Sequence, residues 1–139
     1  MHRRTQIRDA AEALLAGVGA KVQKSRVHNW QQDDLPGVSL YTLSEPAEPV
    51  EFQRTSERTL ALVIDIHAVS AGDVDADLDD LCVEVEKAIE ADWQFGGLAL
   101  RSNLTLTTIG LSGEAEARHG LARLEYAVVY RVDPANPDA

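Results

Sequence analysis

Alternation of apolar and polar positions is clearest between residues 53 and 69. Leu60, Leu62, Ile64, Ile66 and Ala68 fall on one face of an extended segment, and Ala61, Val63, Asp65, His67 and Val69 on the other. Both faces are apolar near the middle, and the second turns polar at Asp65 and His67. The pattern predicts a long strand in a sheet covered on both sides over part of its area. One face is expected to meet a helix of the same chain, the second another subunit.

The period changes to that of a helix twice. Ile7, Ala10, Ala11, Leu14 and Leu15 predict a helix over 5–16, with Thr5 as its cap and Gly17 and Gly19 as its stop. Leu78, Leu81, Cys82, Val85, Ala88 and Ile89 predict the main helix over 74–91, its first turns crowded with acids that favour the positive end of the helix dipole. Shorter strands are expected at 21–27 and 38–43. Leu35-Pro36-Gly37 reads as a turn between them, and residues 44–50, with Pro46 and Pro49, as a solvated loop or strand-free edge. After the bend at 93–98 comes a threonine-rich strand over 103–111, with Leu104 and Leu106 opposite Thr105, Thr107 and Ile109. A turn follows at 112–116. The closing strand, 117–132, carries Leu124, Tyr126, Val128, Tyr130 and Val132 on one face.

The order α-β-β-β-α-β-β predicts an α+β domain: a single mixed, mainly antiparallel sheet with two helices packed on one face. Residues 1–132 form that one domain, and 133–139 are expected to be a flexible tail. A chain of 139 residues can build its own core without a disulfide or metal staple, and its single cysteine leaves no intrachain disulfide. No run of 18 apolar residues is present and the start MHRRT leads into no apolar signal region, so an intracellular setting is expected.

Charge is unevenly spread. Residues 1–31 hold six Arg or Lys against two acids, net +4, and residues 32–139 hold seven against 21, net −14. Binding to a nucleic-acid backbone needs clustered positive charge. The acidic body does not supply it, although an acidic protein can enclose DNA without adhering to it.

Candidate chemistry is sparse. Asp73, Asp75, Asp77, Asp79 and Glu84 fall at positions 1, 3, 5, 7 and 12 of a calcium loop, but position 6 is Leu78 where a glycine is required, and a strand precedes the loop instead of a helix. The histidines His2, His28, His67 and His119 form no local ligand pair. Asp65 and His67 share a strand face and could orient an imidazole as a base, with no nucleophile nearby. Cys82 belongs to the apolar stripe of the main helix. Gly110-Leu111-Ser112-Gly113 lacks the spacing of a serine nucleophile elbow. No phosphate loop or dinucleotide fingerprint is present, and no cofactor, metal or catalytic residue is assigned. The residues expected at an interface are Trp30, Ala61, Val63, His67, Trp93 and Phe95, the aromatics because loop aromatics anchor interfaces as well as cores.

The order and spacing of these elements resemble the tail terminator proteins of long-tailed bacteriophages, the lambda-like minor tail protein U group. The resemblance covers most of the chain. It lies in the helix from Thr5 to Gly17, the segment Asp33-Asp34-Leu35-Pro36-Gly37-Val38-Ser39-Leu40-Tyr41, the strand Leu60 to Val69 followed by an acidic helix, and the closing Leu124-Glu125-Tyr126-Ala127-Val128-Val129-Tyr130. The resemblance implies a structural, non-enzymatic role. The protein would form a ring, typically a hexamer, on the finished tail tube, stop its polymerisation and offer the surface for head attachment. Its partners would be copies of itself, the tail tube protein and the head–tail connector, with DNA passing through unbound. Its place would be the head–tail junction of a virion assembled in the host bacterial cytoplasm. Alternatives are a head–tail joining or tail completion protein, and, from other classes, a small hydrolase or a protein-binding adaptor module.

Overall fold

A computed structural model describes residues 1–25, 30–50, 54–112 and 118–138. The first helix, α1, spans Arg3–Leu15 and buries Ile7, Ala11 and Leu15, one residue per turn. Its cap is His2, whose Nδ1 accepts from the Arg4 backbone N–H at 3.1 Å; Thr5 already lies inside the helix. Strand β1 is Lys21–Gln23 and β2 is Gly37–Thr42, with a 3-10 turn at Gln32–Asp34 between them. The Leu35–Pro36 peptide bond is cis. The remaining elements are β3 (Ala47–Pro49), β4 (Ser56–Ser70), α2 (Val74–Glu90), β5 (Arg101–Ser112) and β6 (Arg118–Val132).

The strands form one mixed sheet in the order β1-β2-β4-β6-β5. β1 runs parallel to β2 and the other pairs are antiparallel. β4 is central, as its two apolar faces predict. It pairs with β6 along its whole length, from Ser56 opposite Val132 to Ser70 opposite Arg118. The core lies between the sheet and the two helices. Leu60, Leu62, Ile64 and Ile66 of β4 and Leu124, Val128 and Tyr130 of β6 are at most 1% exposed beneath Leu78, Val85 and Ile89 of α2. Gly120 permits the close approach of α2 to β6, because a Cβ there would lie 2.6 Å from Leu78 Cδ1.

Three features depart from the sequence reading. The proline-bearing 44–50 segment includes β3, which continues along the same edge of β4 that β2 uses. Thr42 pairs with Leu62 but Ala47 with Arg58, so the intervening bend absorbs one extra residue. Its prolines are tolerated because this is an edge, and the Pro46 carbonyl still accepts from the Thr59 N–H at 3.0 Å. The second departure is in β5, where the register shifts between Leu104 and Leu106. Leu104 pairs with Tyr126 and Leu106 with Glu125, so the two leucines point to opposite faces, not to one. The third concerns residues 133–138, expected to be a flexible tail. They fold back on α1: the Arg3 N–H donates to the Pro137 carbonyl at 3.0 Å, and Gln6 Nε2 to that of Asp138 at 3.1 Å. The first of these satisfies a backbone donor at the open start of the helix. Of the predicted strand at 21–27, the residues from 26 on lie outside those described, as does most of the turn at 112–116.

A polar knot joins α1, the β2–β3 bend and the two central strands. Glu45 accepts from the hydroxyl of fully buried Tyr130 and from Arg4 Nη1 at 2.5 Å, and Arg58 Nη1 lies 3.7 Å from it. Arg58 Nη1 is also 3.2 Å from His2 Nε2. Burial and, next, the Arg4 guanidinium lower the pKa of His2, with Arg58 adding to the effect. A folded-state pKa below the unfolded one means that the unfolded chain binds the proton first. The contribution of His2 to stability is therefore full above about pH 6.5 and is lost as pH falls below it. The melting temperature should drop between pH 7.5 and 5.5 by more in the parent than in His2→Asn, which keeps a capping side chain without the titration. Equal drops in thermal melts would refute this role for His2.

Candidate assembly surface

The outer face of the sheet, opposite the helices, holds most of the expected interface residues. Part of it is covered by the chain itself. Trp30 lies against Gly37, so close that a Cβ on Gly37 would meet its ring at 2.6 Å. Its Nε1 donates to Ser39 Oγ at 2.8 Å, and its ring centroid is 6.1 Å from that of His67. Beside it, Asp65 Oδ1 accepts from Arg123 Nε at 2.8 Å, while Oδ2 accepts from Arg123 Nη2 at 3.1 Å and from the Tyr41 hydroxyl at 2.9 Å. Both Asp65 oxygens thus serve a fork-shaped ion pair and a phenol. The Asp65–His67 base arrangement considered from the sequence is not what this carboxylate is bonded to.

Val63, flanked in the ladder by Tyr41 and Glu125, is fully buried within the single chain. Ala61 is half-buried opposite Ala127, and the two small side chains floor a shallow groove of about 260 Å³ rimmed by Leu43, Pro46 and Thr105. Phe95 is 1% exposed and belongs to the core, whereas Trp93, two residues earlier, is 42% exposed. A tight bend begins at Phe95 and runs through three left-handed residues, Phe95, Gly96 and Gly97, at φ of 51°, 68° and 88°. The conformation is strained only at Phe95, where the burial of a whole aromatic ring offsets the strain. Arg3 Nη1 ties this bend to α1 through the Leu98 carbonyl at 3.0 Å.

The largest apolar exposure is on β5, which the sequence reading did not assign to an interface. Leu104, Leu106, Ile109 and Leu111 are 37–52% exposed, and Leu100 just before the strand 43%. Pairing places Leu104, Ile109 and Leu111 on the helix side and Leu106 on the outer side. β5 is the last strand of the sheet and presents a free edge. No residue from Ser102 to Ser112 is charged. Sheet edges in water are normally guarded by charge, proline, shortness or a bulge; β5 is long and free of proline, its one charge is Arg101 at its start, and its one irregularity is the bulge between Leu104 and Leu106. The opposite edge, β1, has three residues and carries Lys21 and, just beyond it, Lys24.

The groups weighed for chemistry are elsewhere and occupied. Asp73 caps α2 by accepting from the Ala76 N–H at 3.1 Å, and Asp75, Asp77 and Asp79 are helical positions that turn about the axis, not ligands around one point. Burial pushes the Cys82 thiol up to about 11, the range of an unreactive thiol. His2 caps α1, far in sequence from His67 and His119, and His28 lies outside the described residues. Among the described residues, no three His, Cys, Asp or Glu side chains are grouped to hold a metal, and no helix is long and apolar enough to cross a membrane.

No protein-family model matches the chain, and no curated protein matches it. Among solved structures it is similar to a chain of the virion of a native gene transfer agent particle, at 12% identity and a TM-score of 0.37, over 93% of this chain and 92% of the other.

Proposed function

We propose that this protein is a structural component of a bacteriophage-type tail, a terminator that assembles as a ring, most simply a hexamer, on the end of the tail tube. It stops tube growth there and presents the surface to which the filled head attaches. The observation that carries the assembly role is β5, a long edge without charge from Ser102 to Ser112 and with apolar side chains exposed on both faces. A surface of this kind is a template for pairing with another chain. The resemblance in element order to tail terminators supports this choice of assembly. Trp93, the Ala61 groove and His67 add further contact surface, while Val63 and Phe95 support it from inside the chain. The acidic excess of residues 32–139 suits a channel that DNA traverses without sticking.

Tails assembled without this protein should grow past their set length or fail to join heads, and adding the purified protein should restore both. Electron microscopy of such tails decides the matter: normal length and normal head joining in its absence would overturn the terminator reading.

A further inference from the structure

The free edge of β5 needs a partner strand of comparable length, and the sheet offers one. β1 and β3 have three residues each, and the other long strands, β4 and β6, are paired on both sides. Among the described residues, only β5 combines twelve residues with an open edge. We infer that, in the free protein, β5 pairs antiparallel with β5 of a second copy, so that one sheet runs continuously through a two-fold dimer.

The chemistry of the strand suits self-pairing. Because Ser102 to Ser112 is uncharged, any antiparallel register within that span sets no like charges opposite one another. Leu100, Leu104, Leu106, Ile109 and Leu111 together expose on the order of 400 Å² of mainly apolar surface, divided between the two faces of the sheet, of which an edge-paired copy covers the part nearest the edge, against the ~800 Å² that one partner contributes to a standard interface. The strand backbone adds to that area. A two-fold contact uses the same edge on both copies and leaves none over, which prevents runaway growth into fibres. The inference concerns the protein before assembly and does not depend on the terminator reading. If both hold, the dimer must open before β5 can serve a ring.

Sedimentation across roughly 1 μM to 1 mM, the range of weak protein contacts, should show a monomer–dimer equilibrium. Leu106→Lys with Ile109→Lys, both at exposed positions, should weaken dimerisation at least tenfold without lowering the melting temperature. Val83→Lys, at a comparably exposed site on α2, should leave it unchanged. In the parent protein, amide hydrogen exchange should slow along β5 as concentration rises. A parent that stays monomeric throughout, a double variant that dimerises as well as the parent, or a dimer whose β5 amides gain no protection would each overturn the inference. Tail correction by the same parent preparation is read separately, so the terminator reading can stand or fall independently.

Discussion

Ile64→Asp is expected to abolish the cooperative thermal transition or to lower its midpoint by roughly 15 °C or more, since each kcal/mol moves a domain of this size by several degrees. Ile64 is fully buried at the centre of the central strand, opposite Leu40 on β2 and Leu124 on β6, with the helix layer above it. No cation or donor among these apolar neighbours can pair with a carboxylate, which must stay charged and unsolvated or take up a proton. Either course costs several kcal/mol against a total stability of about 5–15 kcal/mol. Ile64→Val, which only removes a methylene, should cost about 1 kcal/mol. Circular dichroism melts of the two variants separate the burial of charge from the loss of packing. A parent-like melt for Ile64→Asp would mean that this face of β4 is not the core.

The second large effect is expected at Glu45. Burial first, and then the Glu45 carboxylate, push the Tyr130 hydroxyl up to about 12, so it remains a donor at any working pH. Glu45→Ala removes its acceptor and leaves the hydroxyl of a fully buried side chain unsatisfied. It also strips Arg4 and Arg58 of their shared carboxylate. The expected loss is about 2–4 kcal/mol, most of it from the orphaned hydroxyl, because the two guanidinium groups retain some access to water. Adding Tyr130→Phe to Glu45→Ala should recover part of that loss, since the buried donor is then gone as well. Chemical denaturation of the single and double variants gives the coupling directly. Additive losses would show that the knot is not a unit.

The elements that were legible in the sequence are those whose order is local. The alternation in β4 and β6 and the stripe of α2 each encode a face within one segment, and the structure places those faces against one another. Glu45 was not legible. In the stretch Ser44-Glu-Pro-Ala-Glu-Pro it reads as one solvated acid among prolines, and only the pairing of the β2–β3 bend with β4 carries it to Tyr130, 85 positions away. β3 was hidden for a related reason: proline argues against strand, but a free edge forgives it. His2 was overlooked as a cap because imidazole is an unusual capping group and Thr5 a common one. Of the expected interface residues, Phe95 and Trp93 share a short aromatic segment, and periodicity cannot show which ring turns inward where a left-handed bend begins at one of them. The exposure of β5 did leave a signal, the absence of charge from Ser102 to Ser112. It gains meaning only once the strand is known to be at an edge.

The long ladder between β4 and β6 also governs how this chain can fold. Its paired residues are separated by 48 positions at one end, Ser70 with Arg118, and by 76 at the other, Ser56 with Val132. Those contacts require a large loop closure before they stabilise anything. The β5–β6 hairpin, whose nearest pair is Ser112 with His119, requires almost none. The hairpin is therefore expected to form before β6 meets β4. Until β4 docks, both edges of such a hairpin would be bare and its apolar stripes would face water. Refolding yield should accordingly fall as protein concentration rises, because a second hairpin can fill the place meant for β4.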